Sequence, residues 1–178
     1  MAYNCNILLA GFGGQGILFT GKLLAKCAME LEKEVTWMPS YGPEMRGGTA
    51  NCSVIVSDER IGSPIVVEPD ILMAMNLPSL DKFENSVVPG GTIIVDSSLI
   101  SRKVERDDVN VVYIPATQMA NENGLKGLAN VIMAAKIVHT SAFIDYDKFK
   151  DVIRAMVPAK KAHLLEPNLK AADLGYNF

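Results

Sequence analysis

Residues 7–17, Ile-Leu-Leu-Ala-Gly-Phe-Gly-Gly-Gln-Gly-Ile, carry an apolar run straight into a glycine-rich turn, and a helix-compatible stretch follows. The pattern predicts strand, sharp turn and helix in immediate succession. Gly11, Gly13 and Gly16 have the G-x-G-x-x-G spacing. In it the first glycine permits the turn, the second lets a ligand approach the backbone, and the third allows tight packing of the helix. Amides at the start of such a helix lack partners within it, and the helix dipole adds positive potential. The turn therefore suits an anion or the carbonyl oxygens of a neighbouring backbone. Gln15 has two readings: a capping amide that holds its own turn, or a ligand contact.

The helix behind the turn is amphipathic. Ile17, Gly21, Leu24, Ala28 and Leu31 form one stripe, while Lys22, Lys26 and Glu30 lie off it. A second strand is expected over 34–38, ended by Pro39, then a polar glycine-rich loop over 40–48 and a strand over 49–56. A turn at 58–62 before Ile65-Val66-Val67 suggests an antiparallel hairpin. Apolar runs at 71–75, 92–95 and 109–114 have the length and flanking turns of strands buried on both faces. Helices are expected over 79–86, 126–140 and 146–157, the last with Asp145 as N-cap and Phe149, Val152, Ile153 and Met156 inward. The tail after residue 166 is ambiguous. These elements predict a single α/β domain over 1–178: a Rossmann-like three-layer sandwich, mainly parallel, with helices on both faces.

At 178 residues the chain can bury a core without disulfides or metal. A net charge of -3 argues against a nucleic-acid surface, and Lys160-Lys161 is only a solvated pair. Cys5, Cys27 and Cys52 form no C-x-x-C pair, so no iron–sulfur or structural zinc frame is visible and the thiols read as packed and reduced. No apolar span is long enough for a bilayer and no signal-peptide pattern opens the chain, which predicts a cytoplasmic protein away from membranes. A hydrophobic content of 49% favours a partner subunit covering part of the surface.

A dinucleotide site usually has an acid at the end of its second strand to hold the ribose hydroxyls. Thr36-Trp37-Met38-Pro39-Ser40 offers none, which disfavours NAD and leaves NADP only if Arg46 reaches a ribose phosphate. The loop holding Tyr41, Gly42, Glu44, Arg46, Gly47, Gly48 and Thr49 presents groups to the outside. Its two glycines allow close backbone approach, and Arg46 can grip a carboxylate or phosphate with a bidentate fork. The alternative is a surface turn with a weak Glu44–Arg46 ion pair. His139 and His163 lack ligand spacing and read as structural or solvated. Ser97-Ser98 reads foremost as a turn and helix cap. The nine methionines read mostly as core filler.

Taken together, Gly11-Phe12-Gly13-Gly14-Gln15-Gly16, the string from Ser40 to Asn51, Pro89-Gly90-Gly91-Thr92 and Asp96-Ser97 resemble the gamma subunit of 2-oxoacid:ferredoxin oxidoreductases, over about residues 5–175. Tyr-Gly-Pro-Glu-Met-Arg-Gly-Gly is far more specific than the first glycine motif. The resemblance implies CoA-dependent oxidative decarboxylation of a 2-oxoacid to acyl-CoA and carbon dioxide, with electrons passed to ferredoxin. It also implies that this chain acts with alpha, beta and delta subunits. Those partners would hold the thiamine diphosphate, magnesium and iron–sulfur clusters, because the chain lacks a Gly-Asp-Gly segment and clustered cysteines. Gamma would pack on the thiamine-bearing subunits and border the coenzyme A and substrate cleft, with Gly13, Gly14 and Gln15 docking a partner loop or anion. Tyr41, Glu44 and Arg46 would approach the cleft. A stand-alone NADP-dependent oxidoreductase and a purely structural interaction module are the alternatives. The oxoacid is open among pyruvate, 2-oxoglutarate, branched-chain oxoacids and indolepyruvate.

Overall fold

Strand β1 (Asn4–Phe12) runs into helix α1 (Ile17–Glu30) as the glycine pattern requires, in a computed structural model that describes residues 2–40 and 49–178. The chain then forms β2 (Glu34–Ser40), β3 (Thr49–Ser57) and β4 (Ile71–Ala74), followed by helix α2 (Leu77–Phe83). Next come β5 (Thr92–Asp96), β6 (Asn110–Ile114) and helices α3 (Ala116–Glu122), α4 (Ala129–Ser141), α5 (Tyr146–Met156) and α6 (Leu165–Tyr176).

The six strands lie in the order β2-β3-β1-β4-β5-β6. Pairs β1–β4, β4–β5 and β5–β6 are parallel, and β3 is antiparallel to both neighbours. The unit β1-α1-β2 is thus a crossover whose two strands are separated by the inserted β3. The hairpin expected between β3 and Ile65–Val67 does not form: β3 pairs with β2 and β1, and 65–67 make no strand. Both edges of β3 are already taken by strands with longer registers, so a three-residue apolar run has no free edge to join.

Side-chain alternation distributes the core between two faces. Ile7, Leu9, Val54, Met73 and Ile94 point to the face covered by α1, α4, α5 and α6. Leu8, Leu72, Ile93 and Val95 point to the other, covered by Leu80 of α2 and by Val87 and Ile100. The amphipathic stripe of α1 is buried through Ile17, Gly21, Leu24 and Ala28, with Leu31 half-buried past its end. In α5, Phe149, Val152 and Ile153 are buried and Met156 packs partly against the same core. Asp145 stands at the N-cap of α5 but makes no side-chain cap bond.

Two segments differ from expectation at the elements that frame the site. Helix α3 begins after Pro115 with no cap of its own, and its first amides are held from outside. Thr117 N donates to the Asp96 carboxylate, as does Thr117 Oγ1 at 2.6 Å, and Gln118 N donates to Ser98 Oγ at 3.0 Å. Ser98 is therefore a cap, but for a helix twenty residues on rather than its own turn. The tail forms α6, which lies on α4 through Ala171, Ala172 and Gly175.

Candidate functional site

The glycine turn sits at the carboxyl end of β1, at the crevice between β1 and β4 where α/β folds of this kind bind ligands. Gln15 occupies that crevice. Its Oε1 accepts from Phe12 N at 2.6 Å and its Nε2 donates to the Met75 carbonyl at 2.9 Å. The side chain thus closes its own turn and ties β1 to the end of β4, so its amide is committed to structure. Gly11 makes this fold-back feasible, since a β-carbon there would lie 2.6 Å from Gln15 Oε1 and 2.8 Å from Ile17 Cδ1. Gly16 has φ +79, the left-handed region, and a β-carbon would strike the Asn130 side chain.

Gly13 and Gly14 are exposed, and so are Phe12 and Phe19, at 38% and 41%. Phe12, Phe19, Gly13, Gly14 and Ala50 border a cavity of about 270 Å³. A second cavity of about 230 Å³ lies on the other side of Gly14, between Gln15, Met75, Leu99, Thr117 and Asn130. Apolar side chains held open above bare backbone are characteristic of a docking rim rather than of a finished surface.

Tyr41, Gly42, Glu44, Arg46, Gly47 and Gly48 fall outside the described residues. Their flanks do not. Phe12 stands opposite Thr49 in the β1–β3 ladder, and Ser40 stands opposite Asn51 in the β2–β3 ladder. Ser40 and Thr49, which flank positions 41–48, therefore lie at the same end of the sheet as the glycine turn.

The other candidates have structural surroundings. All three cysteines are free and buried. Burial pushes the Cys5 thiol up to about 11 and those of Cys27 and Cys52 up to about 12, so none is a ready nucleophile. His139 is edge-on to Tyr176, with ring centroids 5.1 Å apart, and its Nδ1 lies 3.3 Å from Lys136 Nζ. His163 is exposed. Among the described residues no group of three or more His, Cys, Asp or Glu is placed to hold a metal ion, and no helix is long and apolar enough to cross a membrane.

Residue-type reasoning missed Phe12, Phe19 and Asn130. The signal for Asn130 was present: it is the one polar side chain among the first seven residues of α4. Phe19 lies off the buried stripe of α1, a large apolar residue where solvent would favour a charge.

The fold and site define an α/β domain with a glycine turn at its sheet crevice and an exposed aromatic rim beside it. The family model for pyruvate ferredoxin/flavodoxin oxidoreductase matches residues 6–178, and the chain belongs to that family. It is 37% identical over 173 residues to the ketoisovalerate oxidoreductase subunit VorA of Methanothermobacter marburgensis, covering 97% of this chain and 36% of that one. The chain thus spans about a third of the length of that relative. It is 36% identical over 173 residues to the 2-oxoglutarate synthase subunit KorC of Methanocaldococcus jannaschii, covering 96% of this chain and 91% of the relative. The gamma subunit of a keto/oxoacid ferredoxin oxidoreductase from Geobacter sulfurreducens superposes with a TM-score of 0.83 at 26% identity, over 97% of this chain and 96% of the other. The resemblance drawn from the two motifs, and the fold class, are both borne out.

Proposed function

We propose that this chain is the gamma component of a 2-oxoacid:ferredoxin oxidoreductase and that it borders the coenzyme A and substrate cleft while packing on the thiamine-bearing subunits. The observation that carries the reading is the shared corner. The exposed Phe12–Phe19 rim over Gly13 and Gly14 lies at the same end of the sheet as Ser40 and Thr49, the residues that flank positions 41–48. Burying the exposed parts of these two phenylalanines on association contributes a few kcal/mol at about 25 cal/mol per Å² before association costs, a part of what docking a subunit requires.

In this assembly a 2-oxoacid and coenzyme A give acyl-CoA and carbon dioxide, and two electrons pass through iron–sulfur clusters to ferredoxin. Thiamine diphosphate supplies the carbanion chemistry on the partner subunits with magnesium. This chain contributes exclusion of water and positioning. Arg46 would offer a guanidinium fork for a phosphate or carboxylate, and Tyr41 and Glu44 of the same sequence motif would approach the cleft with it. Gly13 and Gly14 accept the backbone of a partner loop, or an anion.

Coexpression with the thiamine-bearing, ferredoxin-like and remaining subunits tests this. The chain should copurify in stoichiometric amount, and oxoacid- and CoA-dependent ferredoxin reduction should be lost without it. Arg46→Ala should raise KM for coenzyme A or the oxoacid by about tenfold. Stabilisation of the isolated chain by NADPH with no copurifying subunits would overturn the proposal.

A further inference from the structure

Ile65-Val66-Val67 is a run of β-branched residues that forms no strand. The strand before it, β3, is paired on both edges and leaves it no place in that ladder. Its backbone stays idle in consequence: among the described residues neither Val66 nor Val67 makes a backbone hydrogen bond. Ile65 and Val67 are 59% and 72% exposed, the highest values for any large apolar side chain described. Strand-forming residues with an idle backbone and solvent-facing side chains are a template for another chain.

The run borders a groove of about 450 Å³ whose other apolar walls are Met38 of β2 and Phe83 of α2. Asn51 and Ser53 lie two residues apart on β3 and line the same groove. Lys82 stands at its border, over the Phe83 ring at 5.1 Å, and makes no ion pair among the described residues. The acid beside it, Asp81, is held by Arg102 Nε at 3.0 Å. The groove also adjoins the glycine corner: Asn51 lines the groove, and its neighbour Ala50 borders the Phe12–Phe19 cavity. In the VorA relative the matched region is 36% of the polypeptide, which leaves 64% of it to a companion segment of the same chain.

We propose that Ile65–Val67 is the seat for an extended segment of the partner subunit whose sequence corresponds to that companion segment. The guest adds as a short strand to the backbone of Val66 and Val67, lays alternate apolar side chains against Met38 and Phe83, and sets a carboxylate on Lys82. A guest helix would cover the apolar walls but leave the idle amides unpaired, whereas an extended chain satisfies both. The seat rests on the reading of the preceding subsection for the identity of the partner, and on the groove itself for the mode of docking.

Hydrogen exchange on the full chain, alone and in the coexpressed assembly, tests the seat together with cross-linking from a benzophenone amino acid placed at position 67. The Val66 and Val67 amides should exchange freely in the isolated chain and slow by about tenfold or more on assembly. Position 67 should cross-link to one segment of that partner. Val67→Glu and Lys82→Glu, both at exposed positions, should each weaken association about tenfold and leave the thermal midpoint of the isolated chain unchanged. Exchanging the guest's acid for lysine should restore the Lys82→Glu complex. Unprotected amides in the assembly, unchanged association of both variants, or cross-linking only to a second copy of this chain overturns the seat. Ferredoxin reduction separates the two claims: an assembly that turns over with Val66 and Val67 unprotected removes this seat alone, and protection by a partner in an assembly with no oxoacid-dependent turnover removes the oxidoreductase reading alone.

Discussion

Gln15 Nε2 donates to the Met75 carbonyl at 2.9 Å while Gln15 Oε1 accepts from Phe12 N, so one carboxamide bridges the ends of β1 and β4. The protein's own side chain thus lies across the crevice a dinucleotide would enter. The exposed part of the turn is displaced toward Gly13, Gly14 and the two phenylalanines.

Gln15→Ala removes both bonds and should cost about 1–2 kcal/mol, with faster hydrogen exchange at the Phe12 amide. Gln15→Glu keeps an acceptor for Phe12 but sets a carboxylate against the Met75 carbonyl. It should be as destabilised at neutral pH and recover on acidification, when the protonated carboxyl donates again. Denaturant melts at two pH values check this, and a Glu variant indifferent to pH contradicts the bridge.

Gly175 sits so close to α4 that a β-carbon would overlap the Ile132 carbonyl. Gly175→Ala should therefore push α6 off α4 and cost about 1–3 kcal/mol or more, since backbone on both sides must yield. Gly62 has nothing within 4 Å of its would-be β-carbon, and Gly62→Ala should be neutral or slightly stabilising. Thermal midpoints of the pair give the contrast directly.

Burial raises the thiols of Cys5, Cys27 and Cys52 from an ordinary 9.0 to about 11, 12 and 12. Between those limits the folded chain keeps protons that the unfolded chain releases. The thiol contribution to stability is thus intact below about pH 9 and declines as pH rises toward 12. Cys27→Ala should flatten part of that alkaline decline, on top of a packing loss that is the same at every pH. An alkaline decline of unchanged slope would show that Cys27 titrates alike in both states. At neutral pH, alkylation of all three should proceed at the rate of opening.

Much of the scaffold was legible because local chemistry and global fold agree there. The glycine turn, α1 and the doubly buried strands β4 and β5 each carry a pattern that only one element satisfies. What could not be read depends on distant residues. Helix α3 has no cap in its own sequence because Asp96 and Ser98 cap it across the sheet edge. Helix α6 buries Ala171, Ala172 and Gly175, a small-residue contact that gives no large-apolar stripe. The hairpin assigned to 65–67 failed because β3 had already paired on both edges. At the site, residue types pointed to the turn but not to Asn130, whose role comes from its place under Gly16.

Hydrogen exchange on the isolated chain and on the same chain within the coexpressed assembly tests most directly whether the glycine corner faces other subunits. The account predicts strong protection on assembly over residues 12–19 and 40–49, with little change at α5 and α6. Unchanged exchange over 12–19, with new protection confined to the α4, α5 and α6 layer, would contradict it.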